Sequence, residues 1–416
     1  MTDRHPAGPD PHPAGPDRAA WLALAVLSAA VLLGMSVWFT ASAVAPIVQA
    51  RWDLTTAQAG WLTVLVQFGF VTGTLTAAAL SLADSVASRL YFGASALLAA
   101  CANAALLVVP TFEAALVTRF ATGVFLAGVY PPAMKMTATW FRSHRGLAIG
   151  LLIGALTVGK ALPYLVDGFG GAGMAAVVGT TSAGAAMASL LVLATYRDGP
   201  FAFPRRPFTW EHARAVVACR PWRLATGGYL GHMWELYAFW AWISSFLAAA
   251  AAVPGATAGV PAIVVDLSPF LAIAVGGFGC IWGGLVADRI GYERLTIRAL
   301  AVSGTCATMV GMLFGAHFLI VLAIVLVWGF FVIADSAQFS AAVTELVPGH
   351  MVGTALTLQV ALGFLLTMVT IQLVPVLAEA LGWRWAFPVL ALGPAAGIVA
   401  MRRLRGIREP AHTASG

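Results

Sequence analysis

The sequence predicts an all-α membrane protein with 12 transmembrane helices in two pseudo-symmetric six-helix bundles, and three observations carry that prediction. Hydrophobic side chains make up 60% of the 416 residues and charged ones only 10%, a balance far from that of a soluble globular chain. Apolar stretches recur between short charged or Pro/Gly-bearing breaks, each long enough to supply the roughly 20 helical residues that cross a hydrocarbon core of about 30 Å. One long polar segment, 196–222, divides them six and six.

In chain order, residues 1–20 carry the hexapeptide HPAGPD twice, at 5–10 and 12–17. A Pro/Gly composition of this kind cannot bury a core, so a disordered tail is expected. The apolar stretch that follows is long enough to cross, and no cleavage-site pattern precedes it; it reads as a retained first helix and not as a signal peptide. The first bundle spans 21–195, with helices at 21–45, 57–80, 91–109, 113–137, 146–166 and 174–195. Residues 196–222 concentrate Arg, Pro and Glu and read as a linker. The second bundle spans 223–404, with helices at 223–249, 269–287, 295–314, 317–340, 352–377 and 384–402, followed by a tail at 405–416. Ser268 and Pro269 suit an N-cap and a first helical position, which sets the start of the eighth helix.

Lys and Arg are held on the cytoplasmic side during insertion. With the N-terminus inside, 19 of the 23 are cytoplasmic, only Arg51 and Arg384 fall in outer loops, and Arg119 and Lys160 are left within the membrane. Both termini are therefore placed in the cytoplasm, and a bacterial inner membrane is the expected location. The net charge of +6 is an orientation signal and implies no nucleic-acid partner. Cys101, Cys219, Cys280 and Cys306 are far apart and read as small packing residues, with no disulfide, metal or cofactor implied.

The stretch GALTVGKALP (154–163) matches the first part of a phosphate-binding loop. Such a loop needs a strand before it and a Ser or Thr after its Lys to hold Mg²⁺, whereas Ala161 follows Lys160 inside an apolar helix. Nucleotide hydrolysis is excluded, and Gly154 and Gly159 read as sites of close helix packing.

An internal repeat is more informative. LGMSVWFTA (33–41) and LGHMWELYA (230–238) each open a six-helix half, and LADSVASR (82–89) and VADRIGYER (286–294) both follow the second helix of a half. The second of these, extended to GGLVADRIGYER (283–294), resembles the signature loop of the major facilitator superfamily of secondary transporters, G-x-x-x-D-R-x-G-x-x-R. RFATGVFLAG (119–128) resembles that family's fourth-helix motif, R-x-x-x-G. The likeness covers residues 20–404 and implies alternating access, usually by a monomer, with a gating loop built on Asp84 and Arg89 in the first half and on Asp288, Arg289 and Arg294 in the second. The first-half copy lacks the family's Gly. QAGWLTVLVQFGFVTG (58–73) is similar to cyanate, nitrate and organic-anion porters, although the glycine-dense signature of nitrate porters is absent.

An ionisable side chain deep in a bilayer is expensive and is read first as functional. Arg119 lies roughly 9 Å from the outer end of helix 4, and Lys160 roughly 21 Å from the cytoplasmic end of helix 5, with Pro163 one turn on. Both could snorkel outward, or meet an anionic substrate or an acid across the cavity. Glu235 is about 18 Å into helix 7, beyond reach of either surface, and His232 is one turn earlier on the same face. Asp335 has no cationic neighbour in sequence and needs a partner from another helix, or a proton. Glu235, Asp335 and His232 are therefore the proton-coupling candidates. Arg119, Lys160, Tyr130, Gln67 and Gln359 are the substrate-binding ones. The resemblance implies that helices 1, 4, 7 and 10 line the central cavity. The first half contributes the positive groups and the second the acids, so closure is expected to bring opposite charges together.

The reading that follows is a proton-coupled transporter of a small polar, anionic metabolite. The alternative is a proton-driven exporter of cationic or lipophilic compounds, in which the acids meet the cation. A membrane scaffold has little reason to keep intramembrane acids.

Overall fold

The computed structural model describes residues 16–142, 144–169, 173–201 and 210–413, and every regular element among them is helical. The first half holds α1 (Arg18–Met35), α2 (Thr56–Ala79), α3 (Ser88–Ala104), α4 (Phe112–Leu126, resuming as Tyr130–Ala138), α5 (Arg145–Gly168) and α6 (Gly173–Thr195). The second holds α7 (Arg220–Ala251), α8 (Ala262–Ile290), α9 (Tyr292–Met312), α10 (Phe318–Ala334, resuming as Ser336–Leu346), α11 (Val352–Leu381) and α12 (Leu392–Thr413). Among the described residues, eleven of these spans are long and apolar enough to cross a membrane. The twelfth, α7, is a continuous 32-residue helix whose Arg220, Arg223, His232 and Glu235 make it the polar member of the set.

Twelve crossings put the start of α1, the end of α12 and the α6–α7 connection at one end of the bundle, called here the linker end; the other is the far end. Between the halves, α5 packs on α8 and α2 on α11, giving two seams. The α5–α8 seam is close where a Cβ built at Gly154 would sit 3.0 Å from the Gly277 carbonyl oxygen; within the first half, one at Gly159 would collide with the carbonyl of Leu32 in α1.

The structure departs from the sequence expectations where proline and broken helices are concerned. Helix α8 begins at Ala262, not 269, and Pro269 lies inside it. A proline leaves the carbonyl four residues earlier without its helical donor, and here the Ser268 hydroxyl donates to that carbonyl, Val265 O, at 2.6 Å. Pro375 inside α11 frees Ile371 O in the same way, and the Trp242 indole of α7 donates to it at 2.7 Å. Pro163 is likewise accommodated inside a continuous α5. The last helix runs to Thr413, through most of the predicted tail at 405–416. The linker carries a short helix, Trp210–Ala218, against α11. Residues 1–15 of the predicted tail and 202–209 of the linker lie outside the described residues, as does the side chain of Asp84.

Candidate substrate and proton site

Three spans are interrupted near their middles: α1 unwinds over Ser36–Phe39 before resuming as Thr40–Ala43, α4 breaks at Ala127–Val129, and α10 breaks at Asp335. Non-helical backbone at membrane depth needs donors from elsewhere in the protein. For α1 the donor is Arg119. Its guanidinium is fully buried, bonding Val37 O (3.0 Å), Trp38 O (2.6 Å) and Asn103 Oδ1 (2.7 Å). Among the described residues no carboxylate pairs with it, so the charge braces the unwound segment that carries Trp38 and Phe39. Neither snorkelling nor an acid across the cavity, both open in the sequence, is what the structure has.

Lys160 of α5 is 1% exposed. Its ammonium donates to the Tyr237 hydroxyl of α7 and lies 4.0 Å from the Trp38 ring centroid, 4.4 Å from Tyr237 and 5.0 Å from Trp240. The rings supply cation–π attraction. Lys160 thus reaches across the seam to the second half, though to a hydroxyl and ring faces. The expected closure of cations onto acids is corrected at this point: among the described residues Lys160 has no carboxylate within ion-pair distance. The indole N–H groups of Trp38 and Trp240 are also buried without hydrogen-bond partners.

Toward the linker end, His232 Nδ1 of α7 lies 2.9 Å from Asp335 Oδ1 at the α10 break, both side chains buried. The approach is off the line a hydrogen bond requires, and both ring nitrogens and both carboxylate oxygens lack hydrogen-bond partners. Glu235, one turn from His232, points to different neighbours: it accepts from Ser303 Oγ of α9 (2.8 Å) and Trp328 Nε1 of α10 (2.6 Å), inside the second half. Glu235→Gln keeps an acceptor for the Trp328 indole and turns its amide N–H₂ to Ser303 Oγ, whose hydroxyl then donates to Leu300 O alone, so two bonds to a carboxylate become weaker neutral ones. The expected result is a loss of about 1–3 kcal/mol, read as a lower thermal midpoint of the purified protein; an unchanged midpoint would mean that the two bonds carry no stability.

Gln67 and Gln359 are fully buried, and neither end of either amide has a partner. Gln67 shares a helical stripe with Gly60, which abuts Trp242 and Gln372 of the second half. Gln359 shares one with Gly363, which abuts Tyr229 and Met233 of α7. Tyr130 opens the second segment of α4, half-buried. A separate groove of about 440 Å³ between α1, α5 and α8 is almost wholly apolar and holds none of the candidate residues.

Two contacts tie the halves near the ends. At the far end, Glu379 of α11 accepts from Ala57 N in the first turn of α2 (3.1 Å), and the Gln372 amide donates to Ala57 O and accepts from Trp61 N (both 3.1 Å). At the linker end, the Asp288 carboxylate lies against Gly146 at the start of α5, where an added Cβ would come within 3.7 Å of it. Each places a carboxylate of the second half at a helix N-terminus of the first, where the helix dipole favours it. Arg89, Arg289 and Arg294 are exposed at the linker end.

The sequence pointed to the charges and overlooked their surroundings. The one sequence signal for Trp38, not read as such, is the repeat, where it aligns with Glu235. Phe70, Phe364, Asn103 and Glu379 carry no sequence signal of their own.

Two six-helix halves with interrupted spans and a buried polar centre at their seams define a multi-pass membrane transporter. The model of the Major Facilitator Superfamily matches residues 26–371, and the chain belongs to that family. It is accordingly a secondary transporter and not an enzyme. Two solved structures share the fold. One is a bacterial homolog of the human lysosomal transporter Spinster, inward-facing and unoccupied: TM-score 0.70, 16% identity, 94% of this chain and 99% of that one. The other is a mutant of the nucleoside transporter NupG: TM-score 0.69, 13% identity, 92% and 99%. No curated protein matches the chain.

Proposed function

We propose that the chain carries a small organic anion across a bacterial inner membrane by alternating access, as a monomer coupled to protons, with both termini cytoplasmic. The observation that supports the anion is Lys160, a buried ammonium with one hydrogen bond and, among the described residues, no carboxylate, beside two unpartnered indole donors. Buried charges are ordinarily paired, and a substrate carboxylate completes this one. The similarity of 58–73 to cyanate, nitrate and organic-anion porters points the same way.

The coupling role goes to His232 and Asp335, an ionisable pair whose side chains meet at 2.9 Å at the α10 break, buried and without other hydrogen-bond partners. Neutralising this pair changes which arrangement of the halves is favoured, which is the thermodynamic meaning of coupling. Asp335→Asn is expected to retain anion exchange between equal pools and to lose accumulation driven by a pH gradient. Wild-type accumulation in that variant would remove Asp335 from the coupling.

The structure is read as closed at the far end, held by Glu379 and Gln372 on α2. Glu379→Gln removes a helix–dipole interaction of about 0.3–1 kcal/mol and is expected to shift the population toward far-end opening by about two- to five-fold. Distances between spin labels on the far ends of α2 and α11 measure this; an unchanged distribution would remove the latch.

The exporter reading draws on the same rings, since three of them already hold an ammonium. Lys160 occupies the place a cationic substrate would take, so that reading expects Lys160→Ala to be tolerated or improved. Uptake and efflux by reconstituted protein over a panel of anions and cations, with and without a pH gradient, decides between them: anion movement supports the proposal, and cation movement alone refutes it.

A further inference from the structure

We infer that the anion is a planar aromatic monocarboxylate; the inference rests on the anion reading and narrows it. Six rings form a continuous cluster across the seams, tilted or edge-on to one another. Trp38, Phe39 and Phe70 come from the first half, and Tyr237, Trp240 and Phe364 from the second. Across the divide the centroids lie 5.8 Å apart for Trp38–Tyr237, 5.8 Å for Trp38–Phe364, 4.6 Å for Phe70–Phe364 and 6.1 Å for Phe39–Trp240. These are ring–ring contacts between bodies that must separate when the site opens. Parting them exposes π faces on both walls and strips Lys160 of part of its cation–π shell.

A flat ring takes up the lost tilted and edge-on ring contacts, and its single carboxylate meets the single ammonium and the unpartnered indole N–H groups of Trp38 and Trp240. Other classes fit less well. A dianion lacks a second cation, because Arg119 is spent on Asn103 and two backbone carbonyls. A quaternary ammonium is repelled by Lys160. A saturated ring of the same size and charge keeps the ion pair but offers no π face.

Binding of benzoate, cyclohexanecarboxylate and benzyltrimethylammonium to the purified protein in nanodiscs, by calorimetry, tests this. Benzoate is expected to bind about ten-fold or more tighter than cyclohexanecarboxylate, the worth of one to two aromatic contacts. Trp38→Leu should bring the ratio toward one, its cyclohexanecarboxylate binding reporting that the site is still folded. Tyr237→Phe keeps the ring and should keep the ratio. Equal binding of the two carboxylates overturns the aromatic class and leaves the anion reading standing. Binding of benzyltrimethylammonium alone overturns both, and binding of none of the three overturns the aromatic class.

Discussion

Lys160→Met is expected to abolish anion transport while leaving the protein as stable as the wild type, or more so. Taking an ammonium out of water costs several kcal/mol even after relaxation, and here no carboxylate repays it among the described residues. The compensation is one bond to Tyr237 and three ring faces, worth about 2 kcal/mol or somewhat more when desolvated. Methionine fills a similar volume without the desolvation term. For a bound carboxylate the balance reverses: removing its only buried charge partner costs about 2 kcal/mol or more, roughly 30-fold in Kd. A higher or equal thermal midpoint together with lost binding is the signature of a residue retained for function. A large drop in midpoint with binding intact would mean that Lys160 is structural.

Arg119→Leu is expected to do the opposite. It leaves Trp38 O and Asn103 Oδ1 without the guanidinium's bonds and Val37 O with only the Thr40 hydroxyl (3.2 Å), in a fully buried site. Buried acceptors stripped of a charged partner cost about 3–5 kcal/mol together, so a sharply lower thermal midpoint is expected. Arg119→Lys should recover only part of the loss, since an ammonium cannot spread its donors over two carbonyls and an amide as a planar guanidinium does. A midpoint equal to the wild type for Arg119→Leu would show that the α1 break holds itself open. The two cations, alike in sequence as intramembrane charges on the first half, thus differ in surroundings: Arg119 bonds three acceptors of its own half, and Lys160 meets a hydroxyl and three ring faces at the seam.

Most of the architecture was legible because a membrane reduces the folding problem to apolar length, and breaks in apolar runs mark the turns. What resisted reading was the interior of the spans. Nothing in SVWF says that α1 unwinds there; the carbonyls it frees are bonded by a residue 81 to 82 positions away. Pro269 looked like a helix start because proline normally is one, and only the Ser268 bond to Val265 O makes it an interior residue. At the site, the ionisable residues announced themselves by being out of place, but their partners did not. His232 and Glu235 share a face of α7 by spacing, yet one meets Asp335 and the other meets Ser303 and Trp328. The aromatic cluster is composed of residues that each look like ordinary membrane packing.

The claim that organises the site is that Lys160 binds a transported anion whose movement protons drive. Uptake of radiolabelled carboxylates into proteoliposomes under an imposed pH gradient tests it most directly, comparing wild type with Lys160→Met. Gradient-dependent accumulation of at least one carboxylate is expected for the wild type and none for the variant. Accumulation by Lys160→Met at the wild-type rate would contradict it.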